Sequence, residues 1–358
     1  MRTTPAVRRA MVATVLTLCV AVTACGSGRG GKSSSPSHDP SGAGQTMITA
    51  SAPVGSVGAG ASASETPTTG TAACQLFPSD NVWHARVDRL PTLAASGAYL
   101  VSIGVGGHLH PDFGSGLIDG RPFGIPITEV PAGQAGSRVT FDYSAESDAG
   151  PYPIPANVRI EGGASADGDR HVILHDAAAC RLYELYAAQK GANGSWHAGS
   201  GAVFDLRSNA LRPAKWTSAD AAGLPIMAGL VGYDEVVAGQ INHAIRVTVP
   251  RSANSYLWPA RHAAGSAGAS LPPMGLRLRM RAAVDTARLG PQARVIAQAL
   301  KTYGMIVADN GSAWYISGTE DSRWNNSDLN ALKSFTGADF EAVDASGLRI
   351  TPDSGAAR

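Results

Sequence analysis

Short alternating segments, separated by turn-forming residues, run through the chain beyond Cys74 and constrain its fold more than any other feature. Alternation of apolar and polar residues with a period of two is typical of half-buried β-strands. Glycine and proline, with 42 and 22 residues, mark the turns between these segments. The predicted strands span 138–143, 170–176, 181–186, 202–206, 243–249, 275–280 and 313–317.

Helical patterns are fewer than strand patterns. Residues 291–303 place apolar side chains at helical spacing and end at Gly304, a residue suited to a helix C-cap. Shorter helices are expected near 92–103 and over 327–334, the second capped by Ser327.

The strand-rich part of the chain contains no second linker after Cys74 and no repeat of fixed period, which indicates one large domain. We predict a mainly β fold for residues 74–350, a single large antiparallel β-sandwich or distorted barrel with a few peripheral helices. Residues 351–358 are predicted to form a disordered tail.

The segment that precedes this domain has a different composition. Residues 26–73 are almost wholly Gly, Ser, Ala, Thr and Pro, so they cannot bury enough apolar area to offset the entropy lost on ordering. We therefore predict that residues 25–73 form a disordered tether, long enough to hold the domain away from a membrane surface.

The N-terminus is predicted to be a signal peptide over residues 1–24. Basic residues precede an apolar run at 10–22 that is too short to span a bilayer stably. The run closes on Val-Thr-Ala-Cys25-Gly, which resembles the bacterial lipobox, in which the cysteine receives a diacylglyceryl group. The resemblance implies a lipid anchor on Cys25 and a place on the outer face of the cell membrane, with a secreted protein or a signal anchor as the alternatives.

Four cysteines are present, and only two of them belong to the folded part. Cys19 would leave with the signal and Cys25 would be lipidated, so Cys74 and Cys180 remain. In an oxidising compartment we expect these two to form a disulfide, the alternative being two buried free thiols. Neither lies in a CxxC motif or near clustered histidines, so redox catalysis and structural zinc are not expected.

Charge and motifs exclude several function classes. The formal net charge is +1, so the chain lacks the basic field that nucleic-acid binding requires. It contains no GxSxG, SxxK or HExxH motif and no GxGxxG after a strand, which argues against common serine hydrolases, zinc proteases and dinucleotide enzymes. His108 and His110 share a strand face as in a cupin-type metal site, but the expected Glu is missing. No metal or cofactor is therefore predicted.

Glu184 is the leading candidate for a proton-transfer residue. A period of two places it on one strand face between Leu182 and Tyr186. Desolvation by these neighbours would raise the pKa of the carboxyl, as a general acid requires. A Glu paired with an Arg, or lying at a sheet edge, is the alternative interpretation.

The segment 242–249 supplies the second candidate. His243 lies on the apolar face of this predicted strand and is proposed as the complementary base, unless it is a neutral core histidine bound to a backbone carbonyl. Arg246 lies on the opposite face and is predicted to bind substrate.

Further acidic residues are weaker candidates. We predict Asp205 and Asp234 as catalytic partners, and Tyr233, which precedes Asp234, as a substrate-binding residue. A structural Asp–Arg pair is the alternative interpretation of Asp205. The segment 167–176 is dense in titratable groups, with Asp169, His171 and His175 on one face. It is interpreted either as a catalytic or calcium-binding edge or as a hairpin entrance with solvated charges.

The six tryptophans mostly stand beside Gly, Ser, Asn or Pro rather than inside apolar runs. Loop tryptophans stack on the apolar faces of sugar rings, and equally fill a loop-rich core. Trp196 and Trp216 are predicted to bind substrate.

Three stretches resemble a widespread group of uncharacterised exported bacterial proteins, often from actinobacteria. These are Phe-Pro-Ser-Asp-Asn-Val-Trp at 77–83, Gly-Pro-Tyr-Pro-Ile-Pro at 150–155, and the run over 202–249. The resemblance spans residues 74–343 and implies one long domain and an envelope location. It implies no catalytic residue.

A large β-rich exported domain with carboxylates, histidines and loop tryptophans suits extended polar substrates. We therefore expect an extracytoplasmic carbohydrate-active enzyme, a hydrolase or lyase that cleaves a polysaccharide or a cell-envelope glycan. A non-catalytic glycan-binding or envelope-organising lipoprotein is the alternative, followed by another enzyme class. The expectation rests partly on analogy of fold.

Overall fold

The computed structural model describes residues 74–118, 120–266 and 268–358. The predictions for the signal peptide, the lipidated Cys25 and the tether lie outside these residues. No helix among the described residues is long and apolar enough to cross a membrane.

The largest sheet contains six strands in the order β1-β14-β11-β13-β12-β15. Their bounds are β1 His110–Pro111, β11 Ile245–Val249, β12 Arg277–Met280, β13 Met305–Asn310, β14 Tyr315–Ile316 and β15 Phe340–Val343. The sheet is mixed, because β11 pairs parallel with β13 and antiparallel with β14.

A second sheet contains four strands in the order β10-β7-β6-β4, and two smaller sheets join β5, β9 and β8 and the hairpin β2-β3. Their bounds are β2 Leu117–Ile118, β3 Arg121–Pro122, β4 Ile127–Glu129, β5 Val139–Phe141, β6 Val172–Asp176, β7 Arg181–Tyr186, β8 Gln189–Lys190, β9 Trp196–Ala198 and β10 Ser200–Asp205. In this group β4–β6 and β5–β9 run parallel, and the other pairs are antiparallel.

Helices are few and short. The α-helices are α1 Ser96–Ile103, α2 Tyr233–Val237, α3 Pro291–Thr302 and α4 Asn326–Asn330, and the 3₁₀ helices span Val82–His84, Ser144–Glu146, Met227–Gly229, Ala331–Ser334, Gly337–Asp339 and Ser346–Leu348. Helix α3 begins with Pro291 and is followed by Gly304 at φ +66°, as its sequence predicts. Helix α4 is capped by Asn325 and not by the predicted Ser327, because the Asn325 side chain accepts the N–H groups of Ser327 and Asp328.

The prediction of a mainly β domain with few helices is confirmed. The main core lies between the two large sheets and includes Ile173 and Leu182 of the four-stranded sheet and Val247 of the six-stranded one. A second core on the other face of β6 and β7 contains Leu174 and Leu185. Both faces of this hairpin are therefore buried, which decides the surroundings of its polar residues.

Both ends of the described chain are fixed to the domain. Cys74 and Cys180 form the expected disulfide, with their Cα atoms 5.4 Å apart. Residues 351–358 differ from the predicted disordered tail, because Ser354 and Ala356 make β-bridges to Ala210 and Asn81. Backbone pairing of this kind cannot be read from a short polar sequence, since it depends on distant partners.

Candidate functional site

A cleft of about 410 Å³ opens where β7 and β10 of the four-stranded sheet meet the end of β13 of the six-stranded sheet. We call it the carboxylate cleft. Its lining residues are Tyr143, Glu146, Asp169, Tyr186, Ser200, Thr217, Ser218, Ala219, Asp220, Ala221, His262, Ala264, Asp309 and Asn310.

The loop over 217–224 forms one wall of the cleft and is fixed by hydrogen bonds of its own. The Ser218 hydroxyl accepts the Asp220 N–H at 2.9 Å and donates to the Leu224 carbonyl at 2.6 Å. The Ser200 hydroxyl on β10 donates to the Ser218 carbonyl at 2.6 Å. Asp220 is therefore presented by a rigid turn that is tied to the neighbouring sheet.

A β-bulge brings Asp309 to the same place. The register of β11 and β13 shifts so that Val247 pairs with Val307, while Thr248 pairs with Asp309 and leaves Ala308 as the extra residue. The Ala308 carbonyl accepts the N–H of Ala222 at 2.8 Å, which joins the bulge to the 217–224 loop. Bulges commonly re-aim side chains beside active sites, and this one places Asp309 next to Asp220.

Asp220 forms a buried ion pair below the cleft. Its carboxylate accepts two hydrogen bonds from Arg246, from Nε at 3.0 Å and from Nη2 at 2.7 Å, and its side chain is 0% exposed. Arg246 also donates to the Ser317 hydroxyl at 2.5 Å. Burial disfavours the charged guanidinium, but Asp220 outweighs this effect and raises the pKa of Arg246. The pair is a fixed, bidentate salt bridge.

Asp309 is the second carboxyl of this cluster and has a different charge state. Burial and the neighbouring Asp220 raise its pKa to about 7, although Arg246 favours the charged form from 3.8 Å away. Two carboxyls so close cannot both ionise freely, so the one without the bidentate arginine keeps its proton. Asp309 is therefore a proton donor near neutral pH that lines an open cleft.

Glu146 and His262 lie together on another wall of the cleft. Glu146 Oε2 accepts the Thr217 N–H at 3.1 Å and lies 3.8 Å from His262 Nε2. His262 Nδ1 is 2.8 Å from the Ala221 carbonyl. A carbonyl only accepts, so Nδ1 carries a proton and Nε2 faces Glu146. Asp169 adds an exposed carboxylate to the lining.

A buried imidazolium supports the 217–224 loop from behind. His171 Nδ1 is 2.6 Å from Glu161 Oε2, and its Nε2 is 3.2 Å from the Ala219 carbonyl, so both ring nitrogens have acceptors. Burial alone would lower the pKa of His171, but Glu161 outweighs it and raises that pKa to about 9. His171 is thus charged, and it anchors the residue that precedes Asp220.

Comparison of the chain with protein-family models, curated proteins and solved structures found no match. A function is therefore inferred from the sequence and from the geometry of the site.

Glu184, the leading candidate from the sequence, lies outside the carboxylate cleft. It is 0% exposed in the core between the sheets, and its carboxylate accepts the N–H groups of Ile226 and Met227, both at 2.9 Å. Burial raises its pKa to about 7, the direction predicted from its apolar neighbours, against these two donors. The contacts make Glu184 an anchor for the 226–229 turn, since both carboxylate oxygens are bound to backbone N–H groups and the residue is fully buried.

His243, Tyr233 and Asp234 line a separate cleft of about 260 Å³. His243 Nδ1 contacts the Ala244 carbonyl at 2.8 Å and Nε2 is 3.2 Å from Glu235, which fits the core-histidine alternative. Asp234 is 85% exposed and pairs with Arg323, whose guanidinium lies 4.1 Å from the Tyr233 ring centroid. Glu184 and His243 therefore do not face one groove.

The other predicted residues are dispersed. Asp205 lies at the exposed end of β10, 3.8 Å from Arg181. Arg207, which shares its predicted strand face, donates only its backbone N–H to the Asp205 carboxylate, at 3.0 Å. Trp196 is buried in the second core, and Trp216 is half-buried against Arg212. Arg246 contacts Asp220 and Asp309, two residues that line the carboxylate cleft, but it is not itself part of the lining.

Two groups considered for metals have other contacts. His108 Nδ1 is 2.7 Å from the Lys333 carbonyl, and the His110 ring stacks on Tyr315 with centroids 4.0 Å apart. Among residues 74–118, 120–266 and 268–358, no group of three or more His, Cys, Asp or Glu side chains is arranged to hold a metal ion.

Sequence reasoning missed most of the carboxylate cleft. Asp309 begins an Asp-Asn-Gly sequence at 309–311 that is typical of a turn. Asp220 lies in a loop, Thr-Ser-Ala-Asp-Ala-Ala-Gly at 217–223, that has no strand pattern. The sequence contains one usable signal for Asp309. A carboxyl at the end of a buried strand lies at the end of its sheet, where a cleft can form. The segment 167–176 was recognised as titratable, and its Asp169 does line the cleft.

Proposed function

We propose that this protein is an extracytoplasmic carbohydrate-active enzyme that cleaves a polysaccharide or a cell-envelope glycan in the carboxylate cleft. The observation that carries the proposal is the pairing of a proton-bearing carboxyl, Asp309, with the further carboxylates Glu146 and Asp169 in one open cleft. Cleavage of a glycosidic bond uses two carboxyl groups in different protonation states.

The roles follow from the surroundings of each residue. Asp309 protonates the leaving oxygen, and Glu146 or Asp169 acts as base or nucleophile. Asp220 and Arg246 are charged neighbours that influence the pKa of Asp309. They do not touch substrate, because both are buried. The rings of Tyr143 and Tyr186, which also line the cleft, supply apolar faces on which a sugar ring can pack.

A screen of polysaccharides tests the proposal. The purified protein is incubated with plant and bacterial cell-wall polysaccharides, and new chain ends are followed by reducing-end assay and mass spectrometry. We expect at least one glycan to be shortened in a protein-dependent manner. Binding of a glycan with no cleavage would instead favour the non-catalytic glycan-binding or envelope-organising lipoprotein, and no binding or cleavage would contradict both.

We also propose that Cys25 carries a lipid anchor on the outer face of the cell membrane, as the lipobox resemblance implies. A Cys25→Ala variant is expected to lose the anchor and to leave the detergent phase in a phase-partition experiment, since one thiol accepts the lipid. The wild-type chain expressed in the same bacterium is the control. A variant that stays in the detergent phase would contradict the proposal.

A further inference from the structure

The charges that face the carboxylate cleft are predominantly of one sign. Four acidic residues line it, Glu146, Asp169, Asp220 and Asp309, and of these the Asp220 side chain is fully buried. Among the described residues that line it, none is Lys or Arg, and His262 is the one basic side chain.

The guanidinium bound to Asp220 does not alter this balance. Arg246 is 5% exposed, and its Nε and Nη2 are bound to Asp220 while Nη1 is bound to Ser317. Asp220 is neutralised by this pair, and a pKa raised to about 7 leaves Asp309 only partly ionised near neutral pH. Glu146 and Asp169 therefore leave the cleft with negative charge that no neighbouring Lys or Arg of the lining offsets.

A negative cleft restricts the chemistry of the substrate. A uronic acid would bring its own carboxylate into the cleft that Glu146 and Asp169 line, and like charges within one cleft oppose binding. Elimination from a uronate further requires a cation or strong donors on the uronate carboxylate, because charge builds there when the neighbouring C–H loses its proton. The lining supplies carboxylates where such a lyase needs positive groups.

We infer that the cleft selects neutral or amine-bearing sugars over uronates, and that its reaction is hydrolysis. The inference rests on the proposed function. Asp309 gives its proton to the glycosidic oxygen as the bond from that oxygen to the anomeric carbon breaks. Water supplies the oxygen that completes the anomeric carbon, and its proton passes to a carboxylate of the cleft, so one water is consumed for each bond cleaved.

Selectivity is tested by binding to an Asp309→Asn variant, in which an amide replaces the protonated carboxyl. Oligosaccharides of glucosamine, N-acetylglucosamine and galacturonic acid of equal length are compared by calorimetry about one unit below the Asp309 pKa. We expect the glucosamine oligomer to bind about tenfold or more tightly than the galacturonate oligomer. The difference should shrink at high salt, because exposed charges are screened.

A matched pair of variants locates the effect. Adding Glu146→Gln to Asp309→Asn is expected to reduce the preference for the amine-bearing oligomer, because it removes a charge of the cleft. Adding Glu129→Gln removes an exposed carboxylate of β4 that pairs with His175 of β6, and it is expected to leave the preference unchanged. Equal effects of the two changes would overturn the assignment to the cleft.

The products formed by the wild-type protein separate hydrolysis from elimination. Hydrolysis gives products whose summed mass equals substrate plus water, whereas elimination leaves an unsaturated sugar and adds no water. Cleavage of a uronate chain with an unsaturated product would overturn this inference while the proposed function stands. If the protein neither binds nor cleaves any of these glycans or those of the wider screen, both fail.

Discussion

Replacing Asp309 with Asn is expected to lower kcat for glycan cleavage by about 10²–10⁴-fold, because the variant cannot transfer a proton to the leaving oxygen. The amide has nearly the same shape and still reaches Asp220, so the fold should be retained. Turnover of wild-type protein should fall as pH rises through about 7, where the carboxyl loses its proton. The variant should lack this limb of the pH profile.

Stability gives an independent measurement of the same carboxyl. Folding raises the Asp309 pKa from 3.8 to about 7, so the protonated carboxyl stabilises the folded state. This contribution to the free energy of unfolding is fully present below pH 3.8 and is lost as pH rises through about 7. An Asn at this position has no such dependence. As pH rises from 3.8 to about 7, the melting temperature of Asp309→Asn should therefore rise relative to that of the wild-type protein. Calorimetry at several pH values measures this difference.

The competing assignment is tested in the same assay with Glu184→Gln. Its contacts with Ile226 and Met227 predict a change in melting temperature with little change in turnover. If Glu184→Gln silences cleavage in a folded protein while Asp309→Asn retains near-wild-type turnover, the carboxylate cleft is the wrong site.

Replacing Arg246 with Met is expected to destabilise the fold by about 3–5 kcal/mol, because it leaves the Asp220 carboxylate buried without its cation. The free energy of unfolding is measured by urea denaturation. Turnover should also fall in the folded fraction, since the Arg246 guanidinium that contacts both Asp220 and Asp309 is removed. A loss no larger than that of a surface substitution would contradict the buried pair.

Two further variants separate charge from packing at this position. Arg181→Met removes a guanidinium from an exposed pair with Asp205 and should change stability far less. Asp220→Asn added to Arg246→Met removes the unpaired charge and should recover part of the lost stability. If the double variant is no more stable than Arg246→Met, lost packing explains the effect better than a buried charge does.

Local sequence patterns predicted several strands and the longest helix, but not β13, an interior strand of the six-stranded sheet. Alternation over 181–186 predicted the strand β7 and the apolar surroundings of Glu184, and the spacing over 291–303 predicted α3. The disulfide followed from elimination among four cysteines. Helix α4 and the end of the chain were less accessible, because their caps and β-bridges join residues that are far apart in sequence.

The candidate site was not accessible in the same way. Apolar flanks correctly predicted a raised pKa for Glu184, but the same desolvation arises in a closed core and beside an open cleft, so the pattern cannot tell an anchor from a catalyst. His243 shows the same ambiguity. Its place on the apolar strand face is compatible with a catalytic base, but in the structure its Nδ1 contacts the backbone carbonyl of Ala244.

The sequence by itself determined that the chain forms a mainly β domain joined by one disulfide, because alternation, turn residues and cysteine count act locally or by elimination. Only the tertiary structure decided which carboxyls meet. Asp220 and Asp309 are 89 positions apart, and a bulge at Ala308 with a hydrogen bond from Ala222 places them side by side. The protonation of Asp309 then follows from that proximity and burial, which have no counterpart in the linear sequence.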